Sequence, residues 1–157
     1  MLAAWLQGTG TLLIVVFVLG LVYSSKAWNR FSGWITMLAS ATILMLSLTE
    51  ATFFLDTALA IGNGHPDAAV TSFDLTFVFL HSFFIAPSLL LPLAFAIRNS
   101  DILPKMFWLW ALVTGLVFEA VGLLGLFVTT IVPEIVALLV MIVWIISAAT
   151  VLVFRKE

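Results

Sequence analysis

The sequence predicts an all-α, polytopic membrane protein, a bundle of five transmembrane helices, and three observations carry this prediction. Apolar residues make up 64% of the 157 residues and charged residues 9%, whereas a soluble domain has about 45–50% and about 25%. The mean hydropathy is +1.27. The apolar residues fall into five runs, each long enough to cross a hydrocarbon core of roughly 30 Å. This composition excludes a soluble enzyme and a disordered chain.

Short polar segments separate the five predicted spans, which form a single domain over 1–157. The first break carries Lys26 and Arg30, and the second is the turn sequence GNGHPD. Pro104 and Pro133 suit the first turns of the fourth and fifth helices. Pro87 and Pro92 predict a kink in the third, because proline has no N–H donor. The predicted limits are 2–24, 34–60, 70–97, 104–130 and 133–154.

The basic residues predict the orientation. With five spans, all six lie on one side of the membrane: Lys26, Arg30, Arg98, Lys105, Arg155 and Lys156. The positive-inside rule places this side, with the C-terminus, in the cytoplasm and the N-terminus outside. Six scattered cations form no basic stripe, so nucleic acid is excluded as a partner.

Three ionisable residues are expected at one depth, near the middle of the bilayer. Glu50, His81 and Glu119 each lie about ten or eleven residues from the outer end of a span, roughly 15 Å below the surface. Ionisable residues inside a membrane are functional candidates by default. Asp56 and Asp74 lie one to two turns nearer the outside, so the predicted site opens outward.

Helical phase adds to this prediction. In the second span, Thr36, Ser40 and Ser47 share a face with Glu50. Such stripes must face protein or trapped water, so we expect spans two, three and four to pack together with their polar faces inward. Gln7, Thr9 and Thr11 of the first span enter at an outer depth similar to that of Asp56 and Asp74 and could contribute to the outer part of the site.

The leading hypothesis is an intramembrane Glu/His site that binds a proton, a cation or a small lipophilic ligand, as in a proton-coupled carrier. A metal would be held by Glu50, His81 and Glu119, since imidazole and carboxylate suit divalent ions; the sequence specifies no cofactor. Alternatively, these residues only join helices by hydrogen bonds. Two other classes stay open: an accessory or anchor subunit bound to partner membrane subunits or to further copies of itself, and an intramembrane metal or acid–base enzyme.

Several cofactor sites are excluded by residue type. A di-iron bundle needs Glu-x-x-His pairs, but Phe53 follows Glu50 and Gly122 follows Glu119 at that spacing. The spans contain one histidine, His81, so a b-type haem would need an unusual second ligand or a second protomer, and they contain no lysine for a retinal Schiff base. Cysteine is absent, which excludes disulfides and thiolate metal sites.

The stretch LPKMFWLWALVTGLVFEAVGLLG at 103–125 resembles a segment of uncharacterised bacterial multi-pass inner-membrane proteins. In those proteins a short polar loop leads into Leu-Pro-basic and then into Trp- and Gly-rich apolar sequence. The resemblance covers about half of the chain and implies an inner-membrane location. It implies no activity and assigns no site residue.

Overall fold

The computed structural model describes residues 1–85, 88–125, 127 and 132–154, and gives side chains for these residues apart from 79–85, 125 and 134. Over this part of the chain the fold is all-α, as predicted, with six α-helices and a 3-10 helix at Ala27–Asn29. The α-helices are α1 (Leu2–Ser24), α2 (Phe31–Gly62), α3 (Pro66–Ile85), α4 (Leu90–Ile97), α5 (Lys105–Gly125) and α6 (Val132–Phe154). Four of these described helices, α1, α2, α5 and α6, are long and apolar enough to cross a membrane.

The connection between α1 and α2 is a tight turn. Ser25 Oγ donates a hydrogen bond to the carbonyl oxygen of Val22 at 3.0 Å, and Lys26 has a φ of 53°, a left-handed conformation that few residues other than glycine adopt. Gly33 lies against this turn, and a Cβ built there would be 2.0 Å from the carbonyl oxygen of Ala27. Only glycine therefore lets α2 pass so close behind the turn.

The predicted third span, 70–97, is divided in the structure. α3 ends at Ile85 and α4 begins at Leu90. Pro92 lies in the first turn of α4, where its missing N–H breaks no helical hydrogen bond. The kink predicted at Pro87 falls outside the described residues. The described helices therefore number six where the sequence predicted five continuous spans.

The short helix α4 lies at the centre of the core. Its buried side chains, each at most 3% exposed, are Leu90, Leu93, Ala94, Ala96 and Ile97. α4 packs against α5, α2 and α1. The approach to α5 is closest at Gly115, where a Cβ would lie 2.6 Å from the backbone nitrogen of Leu91. Small residues at this contact let the two helices approach backbone to backbone.

A buried tryptophan joins α5 to α6. Trp144 is 0% exposed, and its indole Nε1 donates to the carbonyl oxygen of Phe107 at 3.0 Å. The rings of the two residues meet edge to face with centroids 6.2 Å apart. This hydrogen bond satisfies the polar atom that makes burial of tryptophan costly.

The outer faces of the long helices are apolar. Large side chains more than half exposed occur on each, including Leu13 on α1, Met45 on α2, Leu109 on α5 and Leu139 on α6. An apolar surface of this extent suits lipid rather than water.

One end of the bundle gathers three segments that are distant in sequence. A cavity of about 680 Å³ is lined by Ser24 and Leu21 of α1, by Asp101 and Ile102 of the connection between α4 and α5, and by Val153 of α6, among others. The end of α1, this connection and the end of α6 therefore lie together.

Candidate functional site

Glu50 lies in the interface between α1 and α2 and is 6% exposed. Gln7 Nε2 of α1 donates a hydrogen bond to Glu50 Oε2. One turn away, the hydroxyl groups of Thr11 and Ser47 form a second hydrogen bond at 2.7 Å. Gln7 and Thr11 are four residues apart on α1, and Ser47 and Glu50 are three apart on α2. Residues at these spacings lie on one face of a helix, so the two polar faces meet.

These four polar residues form one wall of a cavity of about 410 Å³. The other lining residues are mostly apolar and come from α1, α2, α6 and the residue before α4: Leu6, Gly10, Ile14, Ile43, Phe54, Leu89, Leu138, Met141 and Ile142. A Cβ built on Gly10 would meet no atom within 4 Å, so Gly10 borders open space. We call this the Glu50 cavity.

The two oxygens of Glu50 differ in their partners. Among the residues that the structure describes, Gln7 donates to Oε2 and none donates to Oε1. A buried carboxyl oxygen without a donor is costly, and a ligand that brings an N–H or O–H group into the cavity would remove that cost. The site therefore has the usual form of a small-molecule pocket, with apolar walls and few polar groups.

Asp56 and Asp74 lie outside this cavity. Asp56, six residues beyond Glu50, is exposed and accepts a hydrogen bond from Ser72 Oγ of α3. Asp74 is exposed on α3. The hydrogen bond to Asp56 joins α2 to α3.

Glu119 of α5 lines a different cavity. Its Oε1 accepts a hydrogen bond from the backbone N–H of Ser88 at 2.6 Å. This N–H lies between α3 and α4, where helix geometry leaves donors free. The cavity, of about 490 Å³, also contains Phe31, Ser32 and Ile35 from the start of α2. Ile35 precedes Glu50 by fifteen residues, or about 22 Å of helix.

His81 lies in α3, but its side chain is outside those described, so the predicted meeting of Glu50, His81 and Glu119 stays a prediction. Glu50 and Glu119 do not line the same cavity. In the described part of the chain, no group of three or more His, Cys, Asp or Glu residues could hold a metal ion.

Sequence reasoning anticipated part of the Glu50 cavity. The depth of Gln7 and Thr11 indicated that they could join the polar set, and both contact α2. The α6 wall, Leu138, Met141 and Ile142, was missed. Apolar residues on an apolar helix carry no signal that distinguishes a cavity wall from a lipid-facing surface.

No protein-family model, no curated protein and no solved structure matches the chain. The resemblance of 103–125 to bacterial inner-membrane proteins thus stays a prediction from sequence.

Proposed function

We propose that this protein is a five-span integral membrane protein that binds a small lipophilic ligand in the Glu50 cavity. The ligand carries a hydroxyl or amine group that donates to Glu50 Oε1. The single observation that carries the proposal is a buried carboxyl group with one oxygen free of described donors on the wall of a largely apolar cavity.

The chemistry of the lining favours this ligand over a bare metal ion. A hard or borderline cation takes four or more oxygen or nitrogen ligands, whereas Glu50 is the one carboxylate among the described lining residues of the cavity. Two of the remaining polar groups, the hydroxyls of Thr11 and Ser47, are already bonded to each other. The volume of about 410 Å³ lies within the range of small-molecule sites.

The proposed orientation is N-terminus outside and C-terminus inside an inner membrane, with α3 and α4 together forming the third crossing. Two observations support it. The end of α1, the connection between α4 and α5 and the end of α6 lie at one end of the bundle, as five crossings require. The described basic residues, Lys26, Arg30, Arg98 and Lys105, all flank that end.

Labelling of single cysteines tests this orientation, since the chain has no native cysteine. A membrane-impermeant maleimide added to intact cells should label Asn63→Cys, in the connection between α2 and α3. It should label Asn99→Cys, between α4 and α5, only after permeabilisation. Labelling of both positions in intact cells, or the reverse pattern, would contradict the topology.

Native mass spectrometry of the detergent-purified protein tests ligand binding, with three variants alongside. Gly10→Leu projects a side chain into the Glu50 cavity, where no atom opposes its Cβ, and should abolish the bound mass. Glu50→Leu removes the acceptor and should raise the Kd of the ligand about tenfold, as expected for one hydrogen bond.

Gly62→Leu is the matched control. It makes the same change at the exposed end of α2, also with no atom within 4 Å of the Cβ, but outside the Glu50 cavity, and should keep the ligand. A bound mass that survives in both Gly10→Leu and Glu50→Leu, or a parent protein without bound mass, would refute the proposal. Thermal unfolding of each variant shows whether the fold is retained.

A further inference from the structure

A second, charged cavity lies where α4 connects to α5. Its volume is about 410 Å³, and it is lined by Arg98, Asn99, Ser100, Asp101, Lys105 and Trp108. None of these residues belongs to the Glu50 cavity. The described lining residues include two cations, Arg98 and Lys105, and one carboxylate, Asp101.

Local contacts hold one of the cations in place. The guanidinium carbon of Arg98 lies 5.3 Å from the ring centroid of Trp108, a cation–π contact. Ser100 stabilises the turn that follows α4. Its backbone N–H and its Oγ both donate to the carbonyl oxygen of Ile97, at 3.0 and 2.8 Å. Arg98 is therefore presented from a fixed turn, while its guanidinium keeps N–H donors for an anion.

The charged cavity adjoins an apolar one. Asp101 lines both this cavity and the cavity of about 680 Å³ at the end of the bundle. The larger cavity is otherwise mainly apolar, with Phe17, Leu21, Ile102 and Leu152 among its lining residues. A pair of cations beside an apolar surface matches a molecule with an anionic head and a hydrocarbon chain.

We propose that the charged cavity binds the phosphate of an anionic phospholipid. Arg98 and Lys105 contact the phosphate oxygens, Trp108 holds Arg98 over its ring, and an acyl chain lies along the adjoining apolar cavity. Arginine and lysine are the side chains that bind phosphate most strongly, and tryptophan is enriched at the level of lipid headgroups. This site is independent of the Glu50 cavity.

Native mass spectrometry with added lipid tests the assignment. Dioctanoyl phosphatidylglycerol is titrated into the detergent-purified protein, with dioctanoyl phosphatidylcholine as the zwitterionic comparison. The anionic lipid should bind more tightly. The double variant Arg98→Gln/Lys105→Gln should bind it about thirtyfold more weakly, the change expected for two basic residues near a membrane surface. Both side chains are exposed, so the variant should fold.

The control is Lys26→Gln/Arg30→Gln, which removes the same charge from the neighbouring connection and should keep wild-type binding. Equal losses in the two double variants, or no loss in Arg98→Gln/Lys105→Gln, would overturn the site. The chainless phosphate sn-glycerol 3-phosphate separates the two possible sources of the phosphate. It should bind at least tenfold more weakly than phosphatidylglycerol, and equal binding would assign the cavity to a free phosphate and overturn the lipid proposal.

Discussion

The substitution Gly115→Ala tests the closest contact between α4 and α5. The added Cβ would lie 2.6 Å from the backbone nitrogen of Leu91, 2.8 Å from its Cα and 2.9 Å from its Cβ. Ordinary contacts between such atoms are about 3.5 Å or longer, so the two helices must separate by about 0.9 Å. α4 cannot yield easily, because its own side chains, such as Leu93 and Ala94, are 0% exposed and are packed in the core.

Overpacking of this kind costs about 1–3 kcal/mol of the free energy of unfolding. The control is Gly20→Ala on α1, where no atom lies within 4 Å of the new Cβ. Both variants gain the same helix preference of alanine over glycine, so their difference isolates the overpacking. Unfolding in detergent micelles measures both free energies. A difference below about 0.5 kcal/mol would refute the close approach of α4 to α5.

Two further predictions concern single hydrogen bonds, each checked by the same unfolding measurement. Trp144→Phe should lower the free energy of unfolding by about 1–3 kcal/mol, because it removes the buried indole hydrogen bond to the carbonyl oxygen of Phe107 and leaves a cavity in the core. The same change at Trp5, which is 63% exposed, should have little effect, and equal effects at the two positions would contradict the buried bond. Glu119→Leu should lower the free energy of unfolding by about 1–3 kcal/mol, because the backbone N–H of Ser88 loses its acceptor. Glu119→Gln keeps an acceptor oxygen, so its free energy of unfolding should stay near that of the wild type. If the two Glu119 variants are equally stable, the bond to Ser88 does not support the fold.

The helices α1 and α6 have nearly the limits predicted from the sequence, because polar residues and prolines punctuate the apolar runs, whereas α2 covers Phe31–Gly62 where 34–60 was predicted. α1 spans Leu2–Ser24, the limits of the first run. α6 spans Val132–Phe154, beginning one residue before the predicted start at Pro133. In a membrane, the backbone N–H and C=O groups of a segment must form hydrogen bonds within the protein. A long apolar run therefore favours a continuous α-helix.

The division of the third run into α3 and α4 was harder to predict. Residues 70–97 are apolar throughout, and hydropathy does not report whether a helix is continuous. Pro92 indicated a kink, but the burial of α4 depends on its partners. The missing side chain of Gly115 and the small side chains of Ala94 and Ala96 permit a short helix to enter the core, and their facing positions emerge only in three dimensions.

The candidate site shows what depth along a helix can and cannot predict. Counting residues from the ends of the spans predicted one level for Glu50 and Glu119, yet the two line separate cavities. Depth is one coordinate, while the rotation and lateral position of each helix come from packing. The same count placed Gln7 at the outer level of Asp56 and Asp74, whereas in the structure Gln7 donates to Glu50.

The length of α2 makes the protein sensitive to the thickness of its membrane. With 32 residues, α2 is about 48 Å long, whereas the hydrocarbon layer is about 30 Å. Trp34, near its first end, is 61% exposed and suits the headgroup layer, which anchors that end. The excess length must be taken up by tilt or by extension beyond the opposite interface. α1 is bonded to α2 through Gln7 and Thr11, so a thinner or thicker bilayer would tilt the two helices as a pair.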